Sequence, residues 1–293
     1  LILMVVCAFL LFVVFKFGAV NGATRWIDLG GASLQPSEIV KYAVVFYLAK
    51  SIERKGKKIE DFWRGVVPCF VVAVTYAGLI LLEKNLSISA VIVMVTLIIL
   101  FSAGAKIWHM LLFIIPSGVA GWVLTFSTQY RRDRALFFMN PWQDASGKGY
   151  QLIQSLLALG SGGIMGVGLG QSRQKAFYMP EAHTDFIFSV IGEELGLIGC
   201  SIVIALFIVL IWRGIRAAIN ARDTYGTIIA VGITSIIAIQ AIINIAVVSG
   251  SMPVTGVPLP FISYGGSSLV VNLVAMGVLL NITRQGKKDA DKK

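Results

Sequence analysis

Charge is what this sequence has least of: only 14% of its 293 residues are Asp, Glu, Lys or Arg. A soluble domain of that length cannot clothe its surface so thinly, which excludes a soluble globular enzyme. Histidine occurs twice and cysteine three times, at Cys7, Cys69 and Cys200, each inside an apolar run. No HExxH pattern or His-Cys cluster has metal-ligand spacing, so the cysteines read as small core hydrophobes. The glycine-rich stretch "LGSGGIMGVGLGQS" lacks the strand-helix context and the lysine of a nucleotide loop. Its glycines are expected instead to let the backbone dip to the membrane interface and line a cavity.

What the sequence has is apolar residues, 57% of the total, with a mean hydropathy of +0.82. A bilayer core about 30 Å thick needs about 20 apolar residues per helix. Such runs fall at about Leu1-Phe17, Pro36-Glu53, Val66-Leu82, Leu86-Ala103, Ile107-Phe126, Phe186-Trp212, Tyr225-Ser249 and Gly265-Ile282. The expectation is an all-α, polytopic membrane helical bundle of eight spanning helices, one integral-membrane domain over 1–293. The first run opens without Met or a charged flank, so further chain is expected upstream of it.

The net charge of +10 does not point to nucleic acid, because the basic residues are distributed as topology requires. Alternate loops carry six in Lys50-Arg64, one at Lys106, three in Arg213-Arg222 and five in Arg284-Lys293. That side is expected to be the cytoplasm, with a basic tail at about 283–293. The opposite side carries one long loop, about 127–185, and it breaks the rule with Arg131, Arg132, Arg134, Lys148, Arg173 and Lys175. Two readings stand: long loops translocate regardless of charge, or these cations meet an anionic ligand, which suits the forked donors of arginine.

Ionisable groups at membrane depth are costly, so those present are candidates for function. In "QPSEIVKYAV", Glu38 and Lys41 share a helical face. Glu38 alone would suit the first turn after Pro36, but Lys41 then needs a partner. Asp185, in "PEAHTDFIF", heads an apolar run; either it or Thr184 caps the helix, or it does chemistry. Glu193 lies about 12 Å deeper on that helix and could share a cavity with Asp185 or bond a neighbouring helix. Glu194 points to another face. His183 reads as a rim residue. The stretch "PVTGVPLPFISYGGSS" reads as a broken entry into a helix or as an ordinary outer loop.

Taken together, "NGATRWIDLG", "QPSEIVK", "NPWQDASGKGYQLIQSLLALGSGGIMGVGLGQSRQKAFYMPEAHTDFIFSVIGEELGLIG" and "MPVTGVPLPFISYGGSS" resemble, in order and spacing, the SEDS family (shape, elongation, division and sporulation) of peptidoglycan glycosyltransferases. The short link before "HTDF" is more similar to the division and sporulation branch, FtsW and SpoVE, than to RodA. The family has ten membrane helices and Leu1-Phe17 resembles the third, which implies two more ahead of it. One departure stands out. Relatives often carry Gln-Pro-Asp-Leu-Gly-Thr between the fifth and sixth helices, whereas this chain reads "EKNLSIS", with Asn85 where the aspartate would be.

The resemblance implies a reaction that joins lipid II units and releases undecaprenyl pyrophosphate, with Asp185 as the catalytic base. It nominates Glu38, Lys41, Arg131, Arg134, Arg173, Lys175, His183, Glu193 and Ser263 as substrate-binding. It implies no organic cofactor and no protein-bound metal; a divalent cation, Mg or Mn, would assist at the pyrophosphate. Implied partners are lipid II and the growing glycan strand, a class B penicillin-binding transpeptidase, and divisome or sporulation proteins. The implied place is the bacterial plasma membrane, with the loop outside and the C-terminus inside. The rival reading is a lipid II flippase using Glu38, Lys41, Asp185 and Glu193 as a polar path. Its expected inverted repeats are not found in the sequence.

Overall fold

In the computed structural model the described residues are 2–16, 25–28, 30 and 33–290. Much of the Asn21-Gly30 stretch and the last three tail residues lie outside them. Helices occupy all eight apolar runs: α1 (Ile2–Val13), α2 (Pro36–Lys55), α3 (Val67–Leu82), α4 (Leu86–Ser102), α5 (Ile107–Phe126), α8 (Ile187–Ile219), α9 (Thr224–Val248) and α10 (Gly266–Ala290). Among the described residues five spans are long and apolar enough to cross a membrane: Phe62–Leu82, Ile107–Phe126, Ile187–Ile219, Thr224–Val248 and Gly266–Gly286. Of the other three, α1 and α4 are apolar but shorter, and α2 carries six charged residues. The protein is therefore a helical membrane protein. The segment read as a long loop is itself partly helical, with α6 (Gln129–Phe137), α7 (Tyr150–Gly162) and short turns at Pro141–Asp144 and Gln174–Tyr178. The basic tail is likewise helical as far as Ala290.

The chain divides into two compact units. One comprises 1–117, 211–237 and 266–293. Its centre is α2, which starts because Gln35 is extended and Pro36 supplies a first-turn residue that needs no N–H partner. One side of α2 packs Val45 against α9, where a Cβ on Gly232 would come within 2.3 Å of Val45 Cγ1. Tyr42 donates from its hydroxyl to Asn272 of α10 at 2.5 Å. The α3–α4 hairpin is tied by the Ser89 hydroxyl, which donates to the Ala77 carbonyl at 2.7 Å. Asn85 caps α4 by accepting from Ile88 N–H at 3.3 Å. A two-residue antiparallel ribbon, β1 (Ile27–Asp28) with β2 (Ser33–Leu34), precedes α2.

The other unit comprises 118–210 and 238–265. Its organising feature is an interruption in α8: Gly196 has φ 65° and ψ −163°, outside helical space. A break at that depth leaves carbonyls and amides without helical partners, which lipid cannot satisfy. The stretch after α7 supplies them. Val167 and Gly168 N–H donate to the carbonyls of Glu193 and Glu194 (2.9 and 3.0 Å), and Leu197 and Ile198 N–H donate to those of Gly163 and Ile164 (2.9 and 3.3 Å). Backbone can approach this closely only without side chains: a Cβ on Gly196 would lie 2.4 Å from Gly166 N, and one on Gly162 would lie 1.9 Å from Gly192 O. The glycine-rich stretch thus seals a broken helix.

Candidate active site

The turn into α8 fixes Asp185. Ala182 and Phe186 are buried, whereas His183 is exposed and Asp185 half-buried, so the apolar members of "PEAHTDFIF" anchor the polar ones. Glu181, at φ 57°, turns the chain. The Thr184 hydroxyl donates back to Glu181, to its carbonyl at 3.1 Å and its carboxylate at 2.9 Å, and so does not cap α8.

Three consecutive carbonyls are then pinned from elsewhere in the same unit. Tyr264 N–H donates to His183 O at 2.8 Å, the Ser263 hydroxyl donates to Thr184 O at 2.5 Å, and the Asn244 amide donates to Asp185 O at 2.8 Å. Asn244 also donates to Val257 O at 2.9 Å, and Ser263 accepts from Leu259 N–H at 2.8 Å. The Asp185 carboxylate itself faces Gly256, whose Cβ, if it had one, would be 3.4 Å from Oδ2. The "PVTGVPLPFISYGG" stretch is therefore the inner wall of the site.

The nominated residues fall into distinct places. Arg134 donates to Val254 O at 3.4 Å and so joins the same wall, while Arg131 donates to Leu124 O at 3.2 Å near the end of α5. Arg173 is exposed, and Lys175 lies 3.6 Å from Glu194. Glu193 is 2% exposed and accepts from the Ser172 hydroxyl and from Arg173 and Gln174 N–H, so its carboxylate is already committed to backbone and hydroxyl donors. The hydroxyl of Ser263 is likewise spent on backbone. Glu38 and Lys41 belong to the other unit, 3.0 Å apart with both side chains fully buried. Asn244 and Ser172 were not singled out from sequence; the available signal was a pair of amides, Gln240 and Asn244, inside the apolar run of α9.

Among the described residues no three His, Cys, Asp or Glu side chains gather as a metal cage.

A helical membrane protein with a carboxylate at the head of an interrupted span, walled by the loop between two later spans, is the class defined here. The chain belongs to the FtsW/RodA/SpoVE family, whose model, described as "Cell cycle protein", matches residues 1–288. It is 49% identical to stage V sporulation protein E of Bacillus subtilis over 98% of this chain and 79% of the relative. It is 44% identical to a probable peptidoglycan glycosyltransferase FtsW of Geobacter sulfurreducens over 96% and 76%. Among solved structures, a chain from work on structural coordination of polymerization and crosslinking by a peptidoglycan synthase complex superposes with TM-score 0.79 at 31% identity, covering 97% of this chain and 80% of that one.

Proposed function

We propose that the protein is a peptidoglycan glycosyltransferase that polymerises lipid II, with Asp185 as general base. The supporting observation is the pinned corner: carbonyls 183, 184 and 185 are each held, which fixes the backbone from which the Asp185 carboxylate projects. Proton transfer in a transition state rewards such placement. The acceptor sugar's 4-hydroxyl attacks the anomeric carbon of the donor. A C–O bond forms there, the bond to pyrophosphate breaks, the electron pair leaves on undecaprenyl pyrophosphate, and the hydroxyl proton passes to Asp185. Direct displacement inverts the anomeric centre, by analogy with inverting glycosidases.

Negative charge grows on the leaving group, and fixed cations lower that barrier. Arg134, tied to the wall that faces Asp185, is the cation best sited for the task, with Arg173 and Lys175 following it along the chain towards the corner. A divalent cation would be held by the pyrophosphate oxygens of the substrate. Glu38 and Lys41 form a buried ion pair of the other unit. In this reading all eight helices cross the plasma membrane, the site faces outward, the C-terminus lies in the cytoplasm, and a class B transpeptidase is the partner during division or sporulation.

The test is polymerisation of purified lipid II by the full-length protein with its transpeptidase, comparing wild type with Asp185→Asn. Wild type should form glycan strands and a folded Asn variant should form none. Equal products from both would remove Asp185 from the chemistry; no products, with lipid II crossing vesicles, would favour the flippase.

A further inference from the structure

We propose that Glu193 is a positioning residue, whose buried carboxylate sets the backbone of 172–174 and with it the place of Arg173 and Lys175 in the polymerisation site. The inference rests on the reading just given. The resemblance nominates Glu193 to bind substrate, and in the structure its oxygens accept from the chain itself. Oε2 accepts from the Ser172 hydroxyl at 2.5 Å, and Oε1 accepts from Arg173 N–H at 3.1 Å and Gln174 N–H at 3.5 Å. A carboxylate has about four acceptor positions, so three are spent on one short segment. The Ser172 hydroxyl, 4% exposed, accepts in turn from Lys175 N–H at 3.0 Å. The carbonyl of Glu193 takes Val167 N–H at 2.9 Å, so one residue holds the segment at two levels.

The donors at Arg173 and Gln174 open the helical turn Gln174–Tyr178, where first-turn amides have no partner within the turn. A local serine or aspartate could cap such a turn. Here the acceptor comes instead from about twenty residues further along, in the half of α8 that carries Asp185 at its head. Lys175 is tied to the same half-helix through Glu194 at 3.6 Å. The base and the two cations therefore hang from a single rod, and their separation is set by it rather than by the loop between them. Glu193 supplies the joint, acting through Ser172 and the backbone.

The experiment uses the full-length protein with its transpeptidase, lipid II titrated from below to above KM, and backbone amide exchange of the same samples. Glu193→Gln and Ser172→Ala should each raise KM for lipid II by about tenfold while changing kcat by less than about threefold. Ser172→Thr, which keeps the hydroxyl, should stay near wild type. The double variant should be no worse than the poorer single, because both remove one joint. Exchange over 172–178 should accelerate by at least about tenfold with 187–193 unchanged. Faster exchange with an unmoved KM would reduce the joint to a structural one and overturn the proposal. So would a collapse in kcat with unchanged exchange, which would put Glu193 in the chemistry. If Glu193→Gln fails to fold, the Ser172 pair decides. Wild-type polymerisation by Asp185→Asn in the same assay would instead sink the underlying reading, whatever the exchange shows.

Discussion

Asn244 in α9 holds Asp185 by its own carbonyl, at 2.8 Å, and holds Val257 O with the same amide group. Two chain segments far apart in sequence are thus joined by one NH2 group. Replacing Asn244 by Leu leaves two carbonyls without that donor, at a cost of about 1–3 kcal/mol each. The variant should lose polymerisation by about tenfold or more through kcat, as a misplaced base does, with lipid II binding preserved. Steady-state kinetics beside a binding assay would check it.

The pair Glu38–Lys41 is fully buried at 3.0 Å. Removing one partner strands a charge, whereas removing both strands none. Lys41→Met alone should destabilise by about 3–5 kcal/mol; Glu38→Gln/Lys41→Met should recover most of that in thermal melts while polymerisation stays impaired. If the double variant melts like the single, the pair is not the source of the loss.

Glu83, in the turn between α3 and α4, is buried with neither carboxylate oxygen hydrogen-bonded. Burial pushes its carboxyl up to about 8, against the opposing pull of Arg25. The folded state then holds a proton that the unfolded chain, titrating near the usual value of about 4.3, has released. Stability contributed by the neutral form is present at low pH and is lost as pH rises from the ordinary carboxylate range to about 8. Glu83→Gln should flatten that slope and melt higher than wild type at pH 8–9. Melting curves between pH 5 and pH 9 would show it.

Gly196 combines a φ of 65° with backbone 2.4 Å from any Cβ. Both terms penalise Gly196→Ala, so the variant should lose several kcal/mol, about 3 or more. Gly277→Ala, in open space on α10, should cost little. Parallel melts of the two in detergent would separate backbone strain from a general effect of losing glycine.

The sequence made the spans legible because a membrane helix needs a long apolar run, and runs are one-dimensional. Tyr225-Ser249 as read became Thr224–Val248 as found. Asp185 was legible because a carboxylate at the lip of such a run is rare. The interruption at Gly196 was not, since "GEELGLIGCS" reads as uninterrupted helix until the glycine-rich segment 163–168 that pairs with it is known. The helices of 127–185 hid because α6 is polar and α7 short. The resemblance nominates Ser263 and Glu193 as substrate ligands; their hydrogen-bond partners at Thr184 and Ser172 lie too far along the chain for spacing to reveal.

The sealed break in α8 also bears on biogenesis. Residues 163–168 leave the ribosome before Glu193, so the amides that receive its carbonyl are already made when α8 enters the bilayer. A chain cut between the two would have to insert the same helix with its mid-span groups bare to lipid. Fragments divided there should fail to assemble, and circular permutants that place α8 ahead of α7 should insert poorly, however faithfully each retains every residue of the site.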